Sequence, residues 1–130
     1  MGTPAEPPGG SAMPLVYCLT RDRELASILD DRLHGALVFF YNDAARLHHA
    51  LVLRAPDLVV IDTGAIRPEF GDAGLGPVVA FVRERAATAR IAVRPGSGAD
   101  WLVGAEAGVG AVMLPVGAVA CAEAVVALSR

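Results

Sequence analysis

Short apolar runs alternate with stretches of helical spacing along most of this chain. Residues 15–19 and 58–61 are continuous apolar runs, as expected for parallel strands that are covered on both faces. Between these runs, Leu25, Leu29 and Leu33 recur at helical spacing and predict a helix with one apolar stripe. The pattern therefore predicts that strands and helices alternate along the chain.

The predicted elements follow one another with short connections. The predicted strands are residues 15–19, 36–41, 58–61 (followed by Asp62), 91–93 and 109–114. The first predicted helix begins after the capping residue Asp22. The other predicted helices are residues 44–54, 75–87, 99–107 and 117–129. A Gly- and Pro-rich stretch, 63–74, is predicted to be a loop. Five strands that alternate with helices imply a parallel sheet with helices on both faces.

Composition fits one α/β domain. Of the 130 residues, 54% are apolar and 19% are charged, which is enough to bury a core. Residues 1–13 are rich in Pro and Gly and are predicted to form a flexible tail, with the domain over residues 14–130. The net charge of −3 gives no basic footprint for nucleic acid. The chain contains no lysine, which excludes any mechanism that requires one.

Cysteine use and hydropathy favour a cytoplasmic location. Cys18 and Cys121 lie inside apolar runs, as expected for buried thiols in a reducing compartment. The start of the chain lacks the basic and apolar regions of a signal peptide. The longest uncharged stretch, 107–122, contains Pro115 and is shorter than the roughly 20 residues of a spanning helix. We therefore expect no membrane contact.

The candidate site residues are those that follow the predicted strands, because open α/β sheets bind ligands at the carboxyl ends of their strands. The first of these turns, Thr20-Arg21-Asp22-Arg23, has no glycine and cannot cradle a phosphate as nucleotide-binding loops do. This argues against a dinucleotide or nucleoside triphosphate enzyme. The third strand ends in Asp62, which places a carboxylate at the mouth of the sheet.

The order of elements and the segment 56–62, PDLVVID, resemble the receiver domain of bacterial two-component response regulators. Asp22-Arg23-Glu24-Leu25 at the first helix and Pro115 after the fifth strand also match. The resemblance covers nearly the whole domain. It implies a flavodoxin-like, doubly wound (βα)5 fold with strand order 2-1-3-4-5. It also implies that Asp62 stands where receivers accept a phosphoryl group.

Most of the other positions of that site depart from the family. Thr20 and Arg21 stand where two acids hold Mg²⁺, Arg94 stands where a hydroxyl contacts the phosphate, and Leu114 replaces the lysine. These departures are typical of a pseudo-receiver, in which Asp62 is a vestige of the phospho-acceptor. We therefore expect no Mg²⁺ binding and no other cofactor or metal. Instead, the guanidinium of Arg21 or of Arg94 is expected to lie over Asp62.

The last predicted helix has apolar residues around most of its circumference, and Glu123 is its only charged residue. Such a helix is expected to be covered on both sides. In receivers, the fourth helix, fifth strand and fifth helix often form the contact with a partner. The candidate interface residues are Trp101, Val119, Val125 and Val126. The expected occupant is a second copy or another protein, such as the output domain of a longer chain.

These observations predict a signalling module that acts through protein–protein contact or dimerisation without phosphorylation, and they do not predict an enzyme. One alternative is a response regulator that is phosphorylated on Asp62 within a phosphorelay. The other alternative is a small flavodoxin-like ligand-binding or enzymatic domain, which would need a pocket at the strand ends.

Overall fold

The computed structural model describes residues 13–70, 75–95 and 111–130, with backbone alone for residues 67–70. In these ranges the strands are β1 (Leu15–Leu19), β2 (Leu37–Tyr41), β3 (Leu58–Asp62), β4 (Arg90–Arg94) and β5 (Ala111–Met113), and the helices are α1 (Arg23–Arg32), α2 (Ala44–Leu53), α3 (Thr63–Phe70), α4 (Leu75–Arg85) and α5 (Ala118–Leu128). The predicted helix 99–107 lies outside the described residues. Residues 1–12 of the predicted tail also lie outside them, so the tail stays a prediction.

The strands form one parallel sheet in the order β2-β1-β3-β4-β5. This confirms the doubly wound, flavodoxin-like order predicted from the sequence. The register places Leu19 beside Ile61 and Asp62 beside Arg94, so the ends of the central strands lie at one edge of the sheet. That edge is where this topology positions chemical groups.

Alternate residues of each strand enter cores on opposite faces of the sheet. Tyr17 packs on the face covered by α2 and α4, together with Leu47 and Val78. Cys18 packs on the opposite face, which α1 and α5 cover. Because the inner strands are buried on both faces, every residue of β1 and β3 is buried. This explains their uninterrupted apolar sequence.

Side-chain caps fix the starts of two helices. Asp22 accepts hydrogen bonds from the backbone N–H groups of Glu24 and Leu25, and Asp43 accepts one from the N–H of Arg46. These bonds satisfy donors that the first turn of a helix leaves free. The predicted cap at Asp22 is confirmed, and it also holds the Asp22 carboxylate near the end of β3.

The predicted loop at 63–74 is wrong over its first part, because residues 63–70 form helix α3 directly after β3. Gly64 and Pro68 lower helix propensity and suggested the loop. The side chains of Ala65 and Ile66 are nonetheless fully buried against the core. Tertiary packing therefore outweighs local propensity here. None of the helices in the described ranges combines the length and apolar character needed to cross a membrane.

Candidate functional site

The candidate site lies where β1, β3 and β4 end side by side. Asp62 is the last residue of β3, Thr20 directly follows β1, and Arg94 is the last residue of β4. Asp62 is only 6% exposed, which is unusual for a carboxylate and requires compensation by hydrogen bonds or charge.

The carboxylate of Asp62 is held through both of its oxygens. Oδ2 accepts a hydrogen bond from the Thr20 hydroxyl at 2.8 Å and lies 3.2 Å from Nη1 of Arg94. Oδ1 accepts a hydrogen bond from the backbone N–H of Gly64 at 3.2 Å, at the start of α3. The buried charge is therefore paired and hydrogen-bonded by groups on three elements.

Arg94 connects this carboxylate to a second one and to the turn before α5. Its Nη1 also donates to Oδ2 of Asp22 at 2.8 Å, so the same nitrogen lies between the two carboxylates. Its Nε and Nη2 donate to the backbone carbonyl of Val116 at 2.8 and 2.6 Å. Desolvation alone would lower the pKa of Arg94, but the hydrogen bond to Asp22 and the charge of Asp62 raise it overall. The guanidinium is thus a permanent cation in the site.

The sequence predicted Asp22 only as the cap of the first helix, whereas the structure places its carboxylate in direct contact with Arg94. Thr20 supports this arrangement because its hydroxyl oxygen accepts a hydrogen bond from the N–H of Asp22 at 3.0 Å. The helix cap was the signal that could have located Asp22, since a capping side chain must lie at the start of α1.

The other two positions predicted for the site contribute little to it. Nε of Arg21 donates to the backbone carbonyl of Asn42 at 2.9 Å, and the residue is exposed. Of the two arginines considered from the sequence, Arg94 is therefore the one that lies over Asp62. Leu114 is buried in the core beneath α1 and α5, where it cannot meet an anion at the strand ends.

The guanidinium of Arg94 occupies the space beside Asp62 in which a cation would lie. Mg²⁺ requires oxygen ligands in a near-octahedral arrangement at about 2.0–2.1 Å. Here Nη1 of Arg94 already lies between the two nearest carboxylates, and its positive charge would repel a metal ion placed there. Within the described ranges, no cluster of three or more His, Cys, Asp or Glu side chains is arranged to hold a metal.

Two cysteines lie beneath the site and are confirmed as buried free thiols. Desolvation, together with the nearby Cys121 and Asp62, raises the pKa of Cys18. Burial likewise raises the pKa of Cys121 to about 11, although Arg94 opposes the shift. Both groups stay protonated at neutral pH and therefore pack as small apolar side chains rather than acting as nucleophiles.

The contact between Asp22 and Arg94 makes stability depend on pH. The hydrogen bond from Arg94 lowers the pKa of Asp22 below its usual range, assisted by the N–H groups of Leu25 and Glu24 and opposed by desolvation. Asp22 has a pKa of about 4 in the unfolded chain and a lower pKa in the folded protein. The ion pair therefore stabilises the fold at pH values above about 4, and this contribution is lost as the pH falls through the pKa of the folded state.

Asp22→Asn is therefore expected to lower the free energy of unfolding at pH 7 by about 1 kcal/mol, since asparagine retains the cap but loses the charge. The difference from the wild type should shrink below about pH 4 as Asp22 itself becomes protonated. Urea unfolding at several pH values measures both quantities. A difference that is the same at pH 7 and at pH 2 would contradict the proposed ion pair.

The predicted interface residues are not equally accessible. Val119 on α5 is exposed, and Val126 is partly buried against the core. Val125 is fully buried, so this part of the interface prediction is wrong, because Val125 faces α1 and the sheet. Trp101 lies outside the described residues.

A shallow depression of about 270 Å³ opens above the candidate site. Its lining residues are Arg21, Asp22, Asp62, Gly64, Arg94, Pro95 and Val116. Pockets that enclose small-molecule ligands usually measure about 300–1,000 Å³. The depression therefore gives access to the charged pair from solvent without enclosing a ligand.

Comparison with solved structures supports the fold. The chain is similar to NtrX from Brucella abortus, a response regulator whose crystal structure was determined in complex with ATP, with a TM-score of 0.62 and 18% sequence identity. The similarity covers 91% of this chain but only 28% of the NtrX chain. No protein-family model and no curated protein sequence matches. At this identity the likeness establishes the shared fold.

Proposed function

We propose that this chain is a receiver-like module of bacterial two-component signalling that binds another protein in the cytoplasm without being phosphorylated. The observation that carries the proposal is the position of Arg94, whose Nη1 lies 2.8 Å from Asp22 and 3.2 Å from Asp62. In this proposal the guanidinium of Arg94 takes the place of the metal ion that receivers bind. The site is a structural ion-pair network, and the chain binds no Mg²⁺.

Phosphoryl transfer to Asp62 is disfavoured by the contacts of its carboxylate. Three donors occupy three of the roughly four lone-pair sites of this carboxylate, and its contacts with Arg94 and Thr20 reduce the nucleophilicity of Oδ2. The transferred group also carries negative charge, which receivers balance with a metal and a lysine. This chain has no lysine, and the single positive charge of Arg94 already pairs with two carboxylates, so none remains for a phosphoryl group.

Incubation with acetyl phosphate and Mg²⁺, followed by intact-mass measurement, tests this proposal. We expect no gain of a phosphoryl group in the wild type and the same result for Asp62→Asn. A receiver domain of known activity, treated in parallel, controls for the reagent. A mass gain in the wild type that disappears in Asp62→Asn would contradict the proposal and favour the phospho-acceptor alternative.

An enzymatic or ligand-binding role is less well supported. Such a role needs an enclosed pocket with converging polar groups, whereas the depression over Asp62 is small and open. Its charged groups, Asp22, Asp62 and Arg94, pair with one another. The geometry therefore favours a module that acts through its surface.

We propose that the partner binds beside the α5 end of the sheet. Large apolar side chains are exposed there on β5, on the following turn and on α5: Val112, Met113, Val116 and Val119. Apolar side chains exposed along one edge of a sheet are typical of a protein contact. A protein of different sequence, such as an output domain, is the proposed occupant.

A further inference from the structure

A second surface, the free edge of β2, carries unusually little protection against strand pairing. β2 is the first strand of the sheet, and within the described ranges no other strand lies on its outer side. Its sequence, Leu-Val-Phe-Phe-Tyr, contains no charge, no proline and no glycine. Edge strands usually carry such residues because their free backbone groups otherwise pair with another chain.

The backbone of β2 has a defined set of outward-pointing groups. The N–H of Leu37 donates to the carbonyl of Pro14, and the carbonyl of Tyr41 accepts from the N–H of Thr20, so both residues are bonded towards β1. In a parallel ladder, successive residues direct their N–H and C=O groups to alternate sides. Val38 and Phe40 therefore direct theirs to the free edge.

The side chains of β2 are also incompletely covered. Leu37 is 43% exposed and Phe39 is 48% exposed, on the face of the sheet that α2 covers. The Phe39 ring contacts that of Tyr17 edge to face, with centroids 6.4 Å apart, so it is held against the sheet while half of it meets solvent. Leu53, exposed on α2, lines the groove beside Tyr41 and extends this apolar surface.

We propose that a second copy of this chain pairs antiparallel with β2 about a two-fold axis at Phe39. This register brings Val38 opposite Phe40 of the second copy, so these residues exchange both of their outward hydrogen bonds. Phe39 then faces its own counterpart as a non-hydrogen-bonded pair. The edge is thus complementary to itself in both hydrogen bonds and apolar side chains, and the two sheets form one continuous sheet.

Charge is compatible with this pairing. In the proposed register Asp43, just beyond β2, lies opposite Gly35 of the second copy, with His34 of that copy beside it. The strands themselves contribute no charged residue, so no like charges oppose one another along the ladder. Pairing through β2 also leaves the proposed partner surface at β5 and α5 on the far edge of the sheet.

The mass of the full chain in solution, measured by light scattering over a wide concentration range, tests the proposal. We expect a dimer for the wild type and a monomer for Phe39→Lys, which places two positive charges at the two-fold axis. Val119→Lys is the matched control, because Val119 is 49% exposed and lies on α5, and it should remain dimeric. Val38→Pro should also be monomeric, since it removes an outward N–H and leaves the hydrogen bonds to β1 in place, although it also alters the packing of Val38 against the core.

Opposite results would overturn the proposal. A wild-type monomer at the highest concentration excludes self-association, and a dimer disrupted by Val119→Lys but not by Phe39→Lys assigns it to the α5 surface. Retained dimers in both Phe39→Lys and Val38→Pro would also contradict it. None of these results depends on phosphorylation. A failure of the dimer proposal can therefore be distinguished from a failure of the proposed function.

A pair of cysteine variants tests the register itself. In the proposed dimer two copies of Phe39→Cys are about 4.5 Å apart between their Cα atoms, within disulfide range. Two copies of Leu37→Cys are about 14 Å apart, because each is four residues from the other along the strands. We expect oxidation to cross-link the first variant and not the second. Equal cross-linking of both, or preference for Leu37→Cys, would contradict the register.

Discussion

Replacing Arg94 with alanine is expected to lower the free energy of unfolding by about 3 kcal/mol. The substitution leaves the buried carboxylate of Asp62 without a counter-charge and removes the cation from Asp22. It also removes the donors to the Val116 carbonyl, which attach β4 to the turn before α5. Removing one partner of a buried pair costs more than the pair itself contributes, because the remaining charge stays desolvated.

Urea unfolding of Arg94→Ala measures this loss, and Arg46→Ala is its control. Arg46 pairs with Asp43 on the surface, so its loss should change the free energy of unfolding by no more than about 0.5 kcal/mol. Adding Asp62→Asn to Arg94→Ala should restore part of the stability, since no buried charge then remains unpaired at that position. A loss as small as that of the control, or no restoration, would show that Asp62 does not depend on Arg94.

The fold could be predicted from the sequence because its signals are local. The uninterrupted apolar runs at β1 and β3 reflect burial on both faces, and Asp22 marks the start of α1 through its cap. Helix α3 could not be predicted in this way. Its support is the burial of Ile66 against other elements, a contact between distant parts of the chain that local propensity does not contain.

Only part of the site could be predicted from the sequence. The ends of the predicted strands identified Asp62 and two candidate arginines. The choice between the arginines depends on the direction of each side chain, which is determined by tertiary packing. Arg21 extends to the carbonyl of Asn42, whereas Arg94 points inward across the end of β3. Likewise, the apolar periodicity of α5 could not distinguish the buried Val125 from the exposed Val119.

Under the proposed function, Arg94 would also keep the partner surface in one state. The residue joins the end of β3, the start of α1 and the turn at Val116 through one guanidinium. Val116 is itself exposed beside Val119, at the proposed partner surface. The two hydrogen bonds from Arg94 to the Val116 carbonyl would therefore favour this position of the turn. A switch would instead need two states of the site with different contacts to that surface.

Exchanging the arginine for a metal ligand set is expected to make stability depend on Mg²⁺. The double substitution Thr20→Asp with Arg94→Thr removes the cation and places a further carboxylate beside Asp62 and Asp22, as the resemblance to receivers implies for a Mg²⁺ site. Without metal, repulsion among these carboxylates should destabilise the fold. Mg²⁺ at about 100 times its dissociation constant should then restore about 2.7 kcal/mol, because it binds the folded state alone.

Thermal unfolding with and without Mg²⁺, at constant ionic strength, measures this effect. The matched control is Thr20→Asn with Arg94→Thr, which has nearly the same size but lacks the added charge and should respond little to Mg²⁺. The wild type should not respond, because Nη1 of Arg94 lies between Asp22 and Asp62. A wild type that Mg²⁺ stabilises as much as the double variant would mean that Arg94 moves aside for the metal, and the ion-pair network would then be a gate rather than a replacement.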